Sequence, residues 1–129
     1  MLTVRVRSGA LMEIRKFNIT GGKKHQREIA DKVIRWCCDY FDLNEVVGVY
    51  VKLRPYGDCW GYCVEGLHEH SYNITIAHNQ SVRDFVATIV HEMIHVKQWE
   101  TGKWRGDGEE EAELRQYNIA DKIWKENII

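Results

Sequence analysis

Residues 81–101 read SVRDFVATIVHEMIHVKQWET. Ser81 stands three positions before Asp84 and an apolar run follows, which is a capping-box-like way to open a helix. Val82, Phe85, Val86, Ile89, Val90, Met93 and Val96 recur at helical spacing and carry the helix to about Thr101. Ile94 adds to the stripe, so the spacing predicts a helix packed into a core. His91 and His95 interrupt it, four residues apart. At about 100° per residue they stand about 40° apart on the helical wheel, one turn above the other. A tetrahedral zinc takes one nitrogen from each. Glu92 is offset by about 100° and flanks the metal without binding it. From there it takes a proton from an activated water and returns it to a leaving amine. Two histidines buried in an apolar helix need polar partners, and a metal supplies one.

The flanking segments have other periods. Val4 and Val6, and then Leu11–Ile19, alternate apolar and polar residues around Ser8-Gly9, which predicts a first hairpin. After Gly21-Gly22, residues Ile29, Val33, Trp36 and Tyr40 step by four, three and four, with Ala30, Cys37 and Phe41 widening the stripe. This is an amphipathic helix from about Lys23 to Phe41. Val46–Leu53 reads as a strand and Arg54–Asp58 as a turn around Pro55. Cys59–Glu65 and Ser71–Ala77 read as two more strands, connected through Gly66. A last helix is expected from about Glu109 to Asn127, with Ala112, Gln116, Ala120 and Ile123 on one side. The order favours an α+β class over regular βα alternation. The expectation is a small, mainly antiparallel or mixed sheet, a helix before it, the His-Glu-x-x-His helix and a C-terminal helix, in one domain over residues 1–129.

Composition narrows the function classes. The chain has 129 residues, 44% of them hydrophobic and 29% charged, an ordinary globular mixture. Eighteen Lys and Arg against nineteen Asp and Glu give a net charge of −1, which argues against a nucleic-acid partner. No apolar run reaches the length of a membrane span, and charges interrupt the N-terminus where a signal core would sit. A cytoplasmic location and reduced thiols are therefore expected. Cys37-Cys38 and Cys59-x3-Cys63 match no common structural zinc spacing, so the four cysteines read first as small hydrophobes. Cys59 and Cys63 could share one face of a strand.

His-Glu-x-x-His on a helix after a small mixed sheet resembles the zincin metallopeptidases, from about Val49 to Asn127. The resemblance implies zinc as cofactor, hydrolysis of peptide bonds with Glu92 as general base, and a peptide or protein substrate paired to an edge strand. Cys59–Glu65 and Ser71–Ala77 are the candidate strands. The chain has no histidine after His95, which sets aside branches that take a third histidine. The gluzincin branch takes a glutamate from the next helix, and Glu109-Glu-Glu-Ala112-Glu113 is similar to that pattern. Glu109 would bind the metal, Ala112 would let the helices pack closely, and Glu113 would orient a ligand histidine. Glu110 is the next choice in the acidic run, then Glu113 or Glu111. Those acids also favour the helix dipole without any metal. Trp104-x-Gly106 resembles short bacterial and phage gluzincin-like domains.

Two other readings stand beside this one. The fold could serve as a zinc-containing interaction module that holds a partner on its edge strand, since 129 residues leave little material for substrate pockets. The motif helix also resembles SprT-like proteases acting near nucleic acid, which use a downstream histidine that this chain lacks. Donors for an oxyanion are available in His68, His70, Tyr72, His78, Arg105 and Tyr117, and spacing selects none. His68-Glu69-His70 reads as an exposed turn. Trp36, Trp99 and Trp124 fall at core or core-edge positions, while Trp60 and Trp104 are placed to line a cleft.

Overall fold

In the computed structural model, which describes residues 15–129, seven elements follow in order. They are β1 (Lys16–Gly21), α1 (Lys24–Tyr40), β2 (Gly48–Arg54), β3 (Gly61–Glu65), β4 (Ser71–Ala77), α2 (Val82–Thr101) and α3 (Glu109–Lys125). The class is α+β, with three helices and a four-stranded mixed sheet in the order β1-β2-β4-β3. The hairpin expected around Ser8-Gly9 rests on residues outside the described ones.

The sheet is more parallel than the sequence suggests. β1 pairs with β2 in parallel, β2 with β4 in parallel, and only β3 with β4 antiparallel. The reason is α1. A helix between β1 and β2 returns the chain to its starting end, so the second strand runs beside the first in the same direction. β3 and β4 are joined by the short turn through Gly66, which reverses the chain.

Alternation within the central strands sets the layers. Val49, Val51 and Leu53 of β2 and Tyr72, Ile74 and Ile76 of β4 are buried on one face. Lys52, Arg54 and Asn73 between them are exposed on the other. Against the apolar face pack Ala30, Val33, Ile34 and Cys37 of α1 and Phe85, Ile89, Val90 and Met93 of α2. Burial of one such aliphatic side chain is worth about 1.5–3 kcal/mol. Cys37 and Cys38 are buried and unpaired, and burial raises both thiols, Cys38 to about 11. They are core residues. Cys59 is exposed ahead of β3 and Cys63 is half-buried within it, so no strand face is shared.

Ser81 caps α2 as its spacing predicts, its hydroxyl accepting from the Asp84 N–H at 3.1 Å. α3 buries Ala112, Ile119, Ala120 and Ile123. Trp124 departs from expectation: it is 56% exposed, because the neighbouring Ile123 takes the buried side of the helix. No helix among the described residues is long and apolar enough to cross a membrane.

The C-terminal end of α2 is tied to the start of β4 by a charged cluster. The Glu100 carboxylate, largely buried, accepts from the Tyr72 hydroxyl and from His70 Nδ1 at 3.0 Å. His70 Nε2 faces Glu45 at 3.6 Å and Glu69 at 4.0 Å. Glu45, His70 and Glu100 are close enough to hold an ion. The nearest contacts of the two carboxylates are with opposite ring nitrogens, however, which is how an imidazolium is bridged. Burial lowers the His70 pKa, but the bond to Glu100 and the surrounding carboxylates outweigh it and leave it raised. A raised folded-state value contributes stability below the unfolded value of about 6.5 and loses it as pH rises through the folded value. His70→Gln is therefore expected to remove part of the fall in stability from about pH 6 upward. Denaturant titrations across that range check it, with an effect within about 1 kcal/mol because the ring is partly exposed.

Candidate metal centre

α2 delivers His91 and His95 to the same side of the helix, with ring centroids 5.1 Å apart. Opposite them stands Glu109, the first residue of α3. His91 Nε2 lies 2.9 Å from Glu109 Oε1 and His95 Nε2 lies 2.9 Å from Glu109 Oε2. These three side chains are close enough together to hold a metal ion. Both histidines are largely buried, while Glu109 is about half exposed.

The acidic run at the start of α3 divides its work by helical position. Glu109 meets the histidines and Glu110 is exposed. Glu111 turns the other way, accepting from Lys97, from Gln98 at 3.0 Å and from Arg115 at 2.8 Å. Burial raises its carboxyl, but those three donors prevail and hold it down at about 2. Glu113 lines a neighbouring cavity and bonds neither histidine. The orienting role expected of Glu113 falls to Gln116, whose Oε1 sits 2.5 Å from His91 Nδ1. Ala112 is fully buried between Glu111 and Glu113.

Gln98 does for His95 what Gln116 does for His91. Gln98 is 2% exposed, and its Nε2 donates to the Gly108 carbonyl at 2.9 Å. A carbonyl can only accept, so the amide orientation is fixed and Oε1 faces His95 Nδ1 at 2.9 Å. An amide oxygen also only accepts, so His95 Nδ1 carries the proton, and His91 Nδ1 carries it when it meets Gln116 through Oε1. In the neutral rings each Nε2 is then a lone pair aimed at the Glu109 carboxylate. Four acceptor atoms converge without a donor among them.

Glu92 lies beside this convergence. It is 4% exposed and its carboxylate has no hydrogen-bond partner among the described residues. Burial raises it to about 7, against the pull of His91 and His95 and with a smaller push from Glu109. β3 passes directly over it at Gly61. A Cβ there would lie 2.8 Å from Thr88 Cγ2 and 3.1 Å from Glu92 Oε2, so the strand approaches this closely only without a side chain.

Two cavities flank the site. The larger, about 600 Å³, is lined by Trp60, Gly61, Asp84, Thr88, His91, Glu92, Glu113 and Tyr117 among others. The smaller, about 200 Å³, is lined by Gly61, Tyr62, Cys63, Trp99, Asp107 and the convergent residues themselves. Because β3 ends the sheet order, one of its edges is unpaired with any described strand, and its residues 61–63 border the smaller cavity. Burial raises the Cys63 thiol far above its usual range, reinforced by Glu92 and Glu65.

Of the possible oxyanion donors, Tyr117 alone lines either cavity. Its hydroxyl donates to Asp84 Oδ1 at 2.6 Å. His70 and Tyr72 are committed to Glu100, and His68, His78 and Arg105 line neither cavity. Trp60 lines the larger cavity and Trp104 neither. Gln98 as a positioning residue is not marked by any motif. Its signal is a glutamine three residues after His95 on an otherwise buried helix face.

Gly108 gives this arrangement a test. Its φ is +81° and a Cβ would stand 2.2 Å from Gln98 Oε1. Gly108→Ala is expected to cost about 1–3 kcal/mol in strain and to push Gln98 off His95. Urea denaturation measures the first effect. The His95 Nδ1–H resonance, visible only while that proton is held from solvent exchange, reports the second.

Comparison with family models, with curated proteins and with solved structures gives no match to this chain.

Proposed function

We propose that this protein is a zinc-dependent metallopeptidase in which His91, His95 and Glu109 hold the metal and Glu92 is the general base. The observation that carries the reading is the convergence of two histidine Nε2 atoms on one carboxylate, with each Nδ1 facing a glutamine oxygen. Acceptors that face one another at 2.9 Å repel unless a cation or protons lie between them. Two imidazoles and one carboxylate are a donor set that suits zinc and leave a fourth position open.

When bound there, zinc would supply Lewis acidity to a carbonyl and lower the pKa of a water. The chain's own residues account for the rest. Gln98 and Gln116 hold the ligand rings in register and in the correct tautomer. Glu92 is too far round the helix to join the ligand set and has no hydrogen-bond partner among the described residues to hold it back. Its carboxylate receives the proton of the attacking water and hands it to the leaving nitrogen. The free edge of β3 offers main-chain N–H and C=O groups to an extended peptide, which would carry its scissile bond past His91 and His95.

The test is digestion of a mixed peptide library by the zinc-loaded protein. Cleavage that stops on chelation and returns with zinc is the expected result. A zinc-loaded protein that cuts no peptide would overturn the enzymatic reading and leave an interaction module.

A further inference from the structure

The two cavities beside the metal centre carry charge of one sign. Asp84 and Glu113 line the larger, Asp107 lines the smaller, and among the described residues no Lys or Arg lines either. These three acids are additional to Glu92 and Glu109, which the proposed reaction uses. Arg83 stands beside the larger cavity without lining it, and its charge helps to lower the Asp84 carboxyl. Its guanidinium lies 4.5 Å from the Tyr117 ring centroid, and its Nε is 3.7 Å from Asp121. Asp84 accepts from the Tyr117 hydroxyl, and that bond, a second with Ser81 and the charge of Arg83 hold its carboxyl below the usual carboxylate value. Glu113 makes no hydrogen bond to a described residue and is exposed to the cavity.

Two further features point to a ligand. Glu92 is a buried, unpartnered carboxylate directed into the same space. Trp60 also lines it, with its ring braced by Tyr56 at a centroid distance of 4.3 Å. An indole with acids nearby suits a cationic side chain better than an apolar one, because its ring face adds attraction for an ammonium or guanidinium. A neutral or acidic side chain would leave Glu113, which pairs with no described residue, without a counter-charge.

We infer that the larger cavity is a subsite for a lysine or arginine side chain, with Asp84 and Glu113 as its specificity-determining residues and Trp60 as its aromatic wall. The inference rests on the metallopeptidase reading for which side chain is presented, and on the charge of the cavity alone for its sign. The substrate class is thus a basic peptide segment. A chain with a net charge of −1 would recognise it locally rather than by long-range attraction.

The experiment uses one set of fluorescent peptides, identical except for Arg, citrulline or Glu at each position in turn. Cleavage by the zinc-loaded wild type is read first. An arginine peptide cut about five- to tenfold faster than its citrulline counterpart is expected, with the glutamate peptide slowest. In Glu113→Gln that ratio should fall toward one, and in Glu113→Lys the order of arginine and glutamate should invert. Glu113 is exposed and bonds no described residue, so neither variant threatens the fold. Equal cleavage of all three peptides, or preference for glutamate, overturns the subsite and leaves the metallopeptidase reading standing.

If the wild type cuts none of them, the metallopeptidase reading fails and binding decides the subsite. The same peptides are then titrated against Trp fluorescence and anisotropy. Tighter binding of the arginine peptide, lost in Glu113→Gln, supports the subsite. Binding without charge preference, or none, overturns it.

Discussion

Glu92→Gln is expected to leave zinc binding intact and to lower peptide cleavage by about 10²–10⁴-fold. The substitution is nearly isosteric, so the close passage of β3 over residue 92 at Gly61 is undisturbed. It removes a charge from a buried position where the carboxylate bonds no described residue, so the fold should not weaken. What it removes is, among the described residues, the one buried carboxylate beside His91, His95 and Glu109 that bonds no other residue. Zinc content and initial cleavage rate, measured on the same preparation, check both halves. A variant that keeps its rate would remove Glu92 from the reaction. One that loses its zinc would make Glu92 a ligand rather than a base.

His95→Ala should abolish tight metal binding. The loss should exceed the 10–100-fold typical of removing a residue that only orients a ligand. Two consequences add. A metal held by His91, His95 and Glu109 would lose one of its three protein ligands, and Gln98 Oε1 loses the donor it faces at 2.9 Å inside the protein. The second costs about 1–3 kcal/mol even without metal. The first removes the stabilisation that bound zinc confers, about 4 kcal/mol at a thousandfold excess over the dissociation constant. Thermal unfolding with and without zinc separates them. The wild type should melt higher with zinc and the variant should melt at one temperature in both conditions.

The helix over 82–101 was legible because three signals agree: the Ser81 cap, the apolar stripe and the glycine at 102 where it ends. His91 and His95 follow from that helix by geometry alone, since any residues four apart share a side. Glu109 was legible only as one of several acids. Nothing in a run of three glutamates states where a helix begins to the nearest residue. That register is set by Gly108, whose left-handed backbone fits α3 to Gln98.

The parallel pairing of β1 with β2 was not legible. Lys16–Gly21 alternates as well for a hairpin as for a crossover strand, and the choice depends on where α1 lays the chain down. The positioning glutamines were hidden for a related reason. Gln116 sits in α3, 25 residues from His91, and only the packing of α3 on α2 brings them together. Trp124 looked like a core residue from its helical neighbours. One step of about 100° past Ile123 is enough to carry it to the surface.

The most direct test is elemental analysis of purified protein after exhaustive dialysis, alongside a variant lacking both His91 and His95. Near-stoichiometric zinc in the wild type and none in the variant is the predicted result. No retained zinc in the wild type, or equal zinc in both proteins, would contradict a metal centre at His91, His95 and Glu109.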